Sequence, residues 1–224
     1  WHTIGQEKLV NTLRGGLREG RQPSSYLLVG PPHVGKMTLA MDIARFINCT
    51  GDEKPCGECL LCDRIERGLN TDVRVVTKDD DVPEGGQERT QIRINQIRDV
   101  LKDVSLRPSE GKSRVLIIQE AELMNVNASN AFLKTLEEPP EQTVVILLTT
   151  ASDRLLPTIV SRCQKLELRP VNQQTVINLL VNEYGVEKEP AEEIERLSGG
   201  RIGWAIQAVS TRSILEEIGD KLNA

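Results

Sequence analysis

Aromatic side chains and an excess of positive charge are both missing from this sequence of 224 residues. Phenylalanine, tyrosine and tryptophan make up only 3% of it, which argues against a base-stacking platform of the kind that binds single-stranded nucleic acid. The 28 basic residues are outnumbered by 33 acidic ones, giving a net charge of −5. This balance argues against an independent, nonspecific nucleic-acid binder, because such proteins are normally basic.

Long hydrophobic runs are lacking as well. The longest ones, Val115–Ile118 and Val144–Leu148, have the length of strands and fall far short of the roughly 20 residues that cross a membrane. The first fifteen residues are polar and contain no apolar centre like that of a signal peptide. We therefore expect a cytoplasmic protein with no membrane partner, long enough for one large domain or two small ones.

Four of the five cysteines lie within fourteen positions, with the spacing C-x6-C-x2-C-x2-C. In the cytoplasm such a cluster indicates a metal site rather than disulfides. Four thiolates complete the tetrahedral shell of Zn²⁺ and leave no open position, so we predict structural zinc. Four unrelated reduced thiols and an iron–sulfur cluster are the alternatives, although the C-x3-C-P ending typical of the latter is missing. The predicted ligands are Cys49, Cys56, Cys59 and Cys62, whereas Cys163 stands alone and is expected to be a small, partly buried thiol.

Strand-like and helical patterns alternate through most of the chain. The segments Ser25–Val29, Val115–Gln119 and Thr143–Thr149 are continuous apolar runs, typical of strands covered on both faces of a parallel sheet. Helical periodicity between them predicts an α/β fold with helices on both faces of the sheet. Beyond Leu168 the pattern is only helical, which predicts a small all-helical domain. An acidic, glycine-rich loop at Asp79–Gly86 is expected to be mobile surface.

A phosphate-binding loop is predicted directly after the first of these strands. The segment Gly30–Lys36 has the spacing GxxxxGK, in which backbone N–H groups at a helix N-terminus cradle phosphates and the lysine reaches the β and γ oxygens. The full pattern continues with serine or threonine as a Mg²⁺ ligand, and this chain has Met37. Thr38 is no simple replacement, because one step along a helix turns the side chain by about 100°. A chance match in an unrelated loop is the alternative.

A second metal contact is missing at the end of the strand Val115–Ile118. P-loop NTPases have an aspartate there that holds the Mg²⁺ shell, whereas this chain has Gln119, whose neutral amide is a poorer partner for hydrated Mg²⁺. The next residue, Glu120, keeps the acidic group that would polarise an attacking water. Because both substitutions affect the same ion, we predict weak Mg²⁺ binding, lost catalysis and an idle Glu120.

These motifs, together with others, resemble the clamp-loader subunits of bacterial DNA polymerase III, within the AAA+ ATPases. The resemblance covers nearly the whole chain, and its longer stretches are highly specific in combination. It rests on Ile4–Gln6, the phosphate loop, the four-cysteine insertion, the stretch Asn130–Pro140 (NAFLKTLEEPP), and Leu156–Cys163, which ends in Ser-Arg-Cys.

The resemblance implies an AAA+ P-loop domain at residues 1–167, with a zinc knuckle at 49–62, and a helical lid domain at 168–224. Clamp-loader subunits normally continue into a helical collar, which we expect to be absent from this chain, so that the chain alone is monomeric. The implied partners are gamma/tau-type and delta subunits and, through the assembled ring, the sliding clamp and primed DNA.

Departures from the ATPase pattern make the chain resemble the delta-prime subunit type. Gamma/tau subunits hydrolyse ATP, whereas delta-prime subunits keep the Ser-Arg-Cys arginine beside a degraded ATP site. In the lid, Gly203 stands where gamma-type subunits have a sensor arginine, and whether Arg201 replaces it stays open. The resemblance implies that Arg162 acts in trans as an arginine finger in the ATP site of a neighbouring gamma/tau-type subunit.

Two other functions stay open. One is an active gamma/tau-type ATPase in which Thr38 and Glu120 complete the site, and the other is a zinc-containing P-loop protein of a different DNA-repair assembly. ATP or ADP is a candidate ligand of the chain itself, held without turnover. The implied nucleotide-binding residues are Ile4, Gly30, Gly35, Lys36, Met37 and Thr38.

Overall fold

A five-stranded sheet forms the centre of the computed structural model, which describes residues 1–80 and 89–211. The strands are β1 (Ser25–Val29), β2 (Val73–Val76), β3 (Arg114–Ile118), β4 (Thr143–Thr149) and β5 (Gln164–Glu167). They pair in the order β2-β3-β4-β1-β5, and every pair is parallel. The carboxyl ends of β3, β4 and β1 therefore lie side by side at one edge of the sheet.

Helices connect these strands and continue beyond them. Residues 202–211 are helical, and single 3₁₀ turns cover Ala121–Leu123 and Ser152–Arg154. The helices before residue 202 are α1 (Glu7–Arg18), α2 (Lys36–Asn48), α3 (Leu60–Glu66), α4 (Ile94–Val104), α5 (Val126–Glu137), α6 (Pro157–Val160), α7 (Gln173–Tyr184) and α8 (Lys188–Ser198).

Both faces of the sheet are buried, because successive strand residues point to opposite sides. In β1, Leu28 faces a core that includes Leu13 of α1 and Ile43 of α2. Its neighbour Leu27 faces a second core that includes Phe132 of α5 and α4 side chains. Helices thus cover both faces of a parallel sheet, and the predicted fold class is confirmed.

The helices after β5 have an apolar core of their own. Val176 and Leu180 of α7 are fully buried, and Ala191 of α8 and Ala205 pack with them. This arrangement suits a separate lid, and the division of the chain at residues 167 and 168 stays a prediction. Residues 212–224 of the predicted lid, and 81–86 of the predicted mobile loop, lie outside the described residues.

Three short elements were not predicted from the sequence. Strand β5 is polar, with only Leu166 buried, which is the pattern of a sheet edge rather than of a central strand. Helix α3 begins inside the cysteine insertion and continues beyond it, and α6 has only four residues. None of the described helices has the length and apolar character that a membrane span needs.

Candidate functional site

A cavity of about 570 Å³ opens at the carboxyl edge of the sheet, where β1, β3 and β4 end. Ligands of parallel α/β sheets bind in this position, and the volume lies within the usual range for small-molecule sites. Its lining comes from the phosphate loop, the ends of β3 and β4, and the lid. The lining residues are Pro32, His33, Gly35, Lys36, Met37, Thr38, Gln119, Glu120, Glu122, Leu148, Thr149, Thr150 and Gly203.

The phosphate loop between β1 and α2 has the backbone conformation that its glycines predict. Gly35 has φ +102°, a left-handed value that residues with a Cβ rarely adopt, and α2 begins directly after it. His33 also has positive φ, at +61°. Gly30 lies behind the cavity rather than in its lining, and a Cβ there would be 2.6 Å from the carbonyl oxygen of Leu168.

Lys36 projects from the first turn of α2 and is held by its own loop. Its Nζ donates to the carbonyl oxygens of Gly30 at 2.6 Å and Pro31 at 2.8 Å. Burial lowers the pKa of Lys36, and the negative charge of Glu122 partly offsets this effect. These contacts place the lysine at the cavity, where a phosphate group would compete with the two carbonyl oxygens for its protons.

The positions that bind Mg²⁺ in P-loop NTPases also line the cavity. Met37 lies beside Thr38 on α2, and Met37 packs partly against the apolar core. Gln119 and Glu120 follow β3, and Glu120 has left-handed backbone angles, with φ +51°. Non-glycine residues in this conformation are uncommon and concentrate at functional sites. The structure thus brings both substituted metal positions and the retained glutamate to one cavity.

Glu122 is a cavity residue that the sequence analysis missed. Its Oε1 accepts hydrogen bonds from the backbone N–H of Thr150, at 3.0 Å, and from the hydroxyl of Thr150, at 2.6 Å. Burial raises the pKa of Glu122, but these hydrogen bonds outweigh it and hold the pKa below its ordinary value. The sequence signal that could have identified Glu122 is its position: it is a second acidic residue, two positions after Glu120, close to the end of a strand.

The lid touches the phosphate loop through Gly203. Its N–H donates to the carbonyl oxygen of His33 at 2.8 Å, and a Cβ on Gly203 would lie 2.9 Å from that oxygen. Arg201 points elsewhere: its Nε donates to the carbonyl oxygen of Ser198 at 2.6 Å, at the end of α8, and its guanidinium lies 5.9 Å from the ring centre of Trp204. This arrangement does not favour Arg201 as a replacement for a sensor arginine.

Ile4 lies outside the lining of the cavity and packs against the core of the lid helices. Helix α1 begins after it, at Glu7, and Gly5 between them has left-handed backbone angles, with φ +71°. Next to it, the Nε2 of Gln6 donates to the carbonyl oxygen of Arg169 at 2.6 Å. Residues 4–6 therefore hold the N-terminal segment against the lid helices and against the stretch of chain that leads into them.

Arg162 is not part of the cavity lining either. It follows α6, and its side chain is about one third exposed at 34%. The neighbouring Cys163 packs against the core on the α4 and α5 side, and burial raises the pKa of its thiol to about 11. The expectation of a partly buried, isolated thiol is thus confirmed, and the arginine beside it contacts residues of α5 and α6.

The four clustered cysteines come together as predicted. Their sulfur atoms all lie within 4.8 Å of one another, and Cys49 Sγ is 3.5 Å from Cys56 Sγ and 3.9 Å from Cys59 Sγ. Sulfurs bound at 2.3 Å to a tetrahedral Zn²⁺ are about 3.8 Å apart, so the donor set fits this ion. Within the part of the chain that the structure describes, this is the only cluster of such ligands.

Backbone groups around the cluster donate hydrogen bonds to its sulfur atoms. Cys49 Sγ accepts hydrogen bonds from the N–H groups of Gly51 and Cys56, and the N–H of Cys59 and other backbone donors lower the pKa of Cys56. Gly57, with φ +78°, makes the sharp turn between the second and third cysteines. Such hydrogen bonds to sulfur are typical of metal-binding knuckles.

The fold and the cavity together define a P-loop protein of the AAA+ type. The family model described as DNA polymerase III, delta subunit, matches residues 5–172. The chain belongs to this family, the bacterial clamp-loader subunits, and the predicted family membership is confirmed.

Individual relatives agree with this placement. A DNA polymerase III subunit delta' of Pseudomonas aeruginosa is 36% identical over 203 residues, which are 87% of this chain and 57% of that protein. A DNA polymerase III subunit gamma of Buchnera aphidicola is 34% identical over 179 residues, 79% of this chain and 47% of its own length. A structure of Thermotoga maritima RuvB (T158V) shares the fold, with TM-score 0.61 and 20% identity, covering 98% of this chain and 64% of the other. The chain spans about half the length of these curated relatives.

Proposed function

We propose that the chain is part of a clamp-loader subunit of delta-prime type that donates Arg162 to the ATP site of a neighbouring gamma/tau-type subunit. The observation that carries the proposal is the cavity, where Met37 and Gln119 stand at both Mg²⁺ positions. Arg162 lies outside that cavity, at the surface, which suits a residue that acts on another subunit. A guanidinium in such a position stabilises charge on the transferring phosphoryl group and raises turnover by about 10³–10⁵ in other NTPases.

The cavity of the chain itself would hold ATP or ADP without turning it over. Lys36 and the N-terminus of α2 supply the phosphate contacts, and Glu120 is idle because weak Mg²⁺ binding leaves the phosphates unprepared for attack by water. The partners are gamma/tau-type and delta subunits, with the sliding clamp and primed DNA contacted by the assembled ring, and the compartment is the cytoplasm. The four cysteines hold a structural Zn²⁺, which contributes stability rather than chemistry.

Turnover by the purified chain tests this function. With ATP and Mg²⁺ we expect no steady hydrolysis, whereas nucleotide binding, followed by fluorescence with and without Mg²⁺, is expected to depend on Lys36 and little on the metal. Steady hydrolysis that Lys36→Ala abolishes would overturn the proposal.

That outcome would favour the second candidate, an active gamma/tau-type ATPase. The observation in its favour is the identity of about one third to subunits named gamma and tau, together with Glu120 at the cavity. In a reconstituted complex the two candidates differ again. If the chain is a delta-prime-type subunit that does not itself hydrolyse ATP, Arg162→Ala must lower the ATPase rate of the partner subunit while this chain stays folded.

A further inference from the structure

The motif LKTLEEPP, at residues 133–140, meets the Ser-Arg-Cys tripeptide in space. Helix α5 ends at Glu137, and Pro139 and Pro140 prevent its continuation. The tripeptide follows α6, which begins at Pro157. Both segments flank the same apolar core, which Leu136 and Ile159 share. The two most specific stretches of the sequence are therefore parts of one surface feature.

Arg162 is held by two contacts in this feature. Its Nη2 lies 2.8 Å from Oε1 of Glu137, and its Nη1 donates to the carbonyl oxygen of Thr158 at 2.9 Å. The hydroxyl of Ser161 donates to the same carbonyl oxygen at 3.2 Å. An arginine has five N–H groups, and this side chain is 34% exposed, so it keeps donors for a group that approaches from outside.

Such a contact orients the guanidinium more than it stabilises the fold. Glu137 is half exposed, at 50%, and exposed ion pairs contribute little to stability. A long arginine side chain without partners has many rotamers, whereas a planar guanidinium fixed at two of its nitrogens has a defined plane and direction. Catalysis by a positioned group depends strongly on such orientation.

We propose that Glu137 is a positioning residue for Arg162, and that it sets the guanidinium in the orientation in which it enters the neighbouring subunit's ATP site. This inference rests on the function proposed above for Arg162. The carboxylate of Glu137 touches no nucleotide in this role, and its effect passes entirely through the arginine. Thr158 contributes the second, backbone contact, which a side-chain substitution leaves in place.

The test is the steady-state ATPase rate of a complex reconstituted from the full-length subunits, with Glu137→Ala and Glu137→Gln in this chain. We expect Glu137→Ala to lower kcat about tenfold, below the roughly 100-fold effect of a 1 Å misplacement of a reacting group. KM for ATP is expected to stay unchanged, since the finger acts on the transition state. Glu137→Gln keeps an oxygen acceptor at the same place and is expected to restore most of the rate.

Two further variants make the test specific. Glu138→Ala is the matched control, because Glu138 is also exposed and its side chain has no ion pair or hydrogen bond among the described residues. In an Arg162→Ala background, Glu137→Ala is expected to cause no further loss, as a double-mutant cycle requires of a residue acting through another. Thermal unfolding and co-purification of each variant with its partners show that folding and assembly are kept.

The outcomes separate the inference from the proposed function. If Arg162→Ala lowers the rate and Glu137→Ala leaves or raises it, the positioning role is wrong while the finger role stands. Additive losses in the double variant, or equal losses for Glu138→Ala, also overturn the positioning role. If Arg162→Ala changes nothing, the finger role is wrong, and the positioning role is wrong with it.

Discussion

Asp72 is a buried carboxylate that holds the turn before β3. It is 2% exposed and accepts hydrogen bonds from the backbone N–H groups of Ser109, Glu110 and Gly111 at 2.7–2.8 Å. Burial raises the pKa of Asp72, but these hydrogen bonds outweigh it, and the pKa lies below its ordinary value. A carboxyl whose pKa is lower in the folded than in the unfolded state stabilises the fold at pH values above its unfolded-state pKa. This contribution disappears as the pH falls through the folded-state pKa.

Replacing the carboxylate with an amide is therefore expected to destabilise the chain in a pH-dependent way. Asp72→Asn is expected to lose about 2 kcal/mol of unfolding free energy at neutral pH, since charged hydrogen bonds are broken. The difference from the unchanged chain is expected to shrink below about pH 4, where the unfolded carboxyl is protonated. Urea unfolding at both pH values measures it, with the exposed Asp99→Asn as the control. An equal difference at both values would contradict the assignment.

Gly203 lies too close to the phosphate loop for a residue with a Cβ to fit without a shift. Since a Cβ there would lie 2.9 Å from the carbonyl oxygen of His33, an alanine must push the lid away from the phosphate loop. Gly15 in α1 is a matched control, because a Cβ there meets nothing within 4 Å. Gly15→Ala is expected to raise the unfolding free energy by about 0.5–1 kcal/mol.

Gly203→Ala is expected to lower the unfolding free energy instead, and to expose the phosphate loop to faster amide exchange around His33. Denaturant unfolding and hydrogen exchange of both variants measure these effects. A stabilisation equal to that of Gly15→Ala would show that the lid does not depend on the close approach.

At the scale of elements, the cysteine cluster fixes α3 to the end of α2. Cys49 follows the last turn of α2, and Cys62 lies in α3, and both are fully buried. Cys62→Ala is expected to abolish zinc binding at the proposed site and to cost about 3 kcal/mol of unfolding free energy, because loss of a structural metal is among the most destabilising changes. For a chain of this size the midpoint of thermal unfolding then falls by roughly 6–12 °C.

Cys163→Ala provides the matched control, because this cysteine lies outside the cluster. It is expected to keep one zinc per chain by elemental analysis and to leave the unfolding temperature nearly unchanged. Equal effects of the two substitutions, or purified chain with far less than one zinc, would show that the cluster is not a structural zinc site.

The elements could be predicted from the sequence where local pattern and tertiary environment agree. Strands β1 and β4 are continuous apolar runs, and their predicted bounds match the structure. Strand β5 could not be recognised, because its side chains are mostly polar. It becomes a strand through its backbone pairing with β1, which lies far away in the sequence. The phosphate loop follows from local spacing alone. The contacts of Glu122 with Thr150 and of Gly203 with His33 depend on which strands and helices become neighbours, and that information is not local.

At the scale of the whole molecule, the net charge of −5 predicts that the chain does not bind DNA by itself. Nonspecific binding is driven by release of counterions from phosphates that Lys and Arg neutralise, and typical dissociation constants are about 10⁻⁴–10⁻⁶ M. With acidic residues in excess, the chain is expected to leave the fluorescence anisotropy of a labelled primed duplex unchanged up to about 100 µM protein. The measurement is made at about 0.15 M salt, where long-range attraction is largely screened.

The control is the same labelled duplex measured with the reconstituted complex in place of the isolated chain. In that measurement we expect a strong rise in anisotropy. The proposed function predicts this contrast, because it assigns the phosphate loop and the exposed arginine to nucleotide sites rather than to DNA. Saturable binding by the isolated chain, with a salt dependence that indicates several phosphate contacts, would contradict the prediction. The DNA-binding surface would then lie on this chain itself, against its overall charge, and the ring would be unnecessary for contact with DNA.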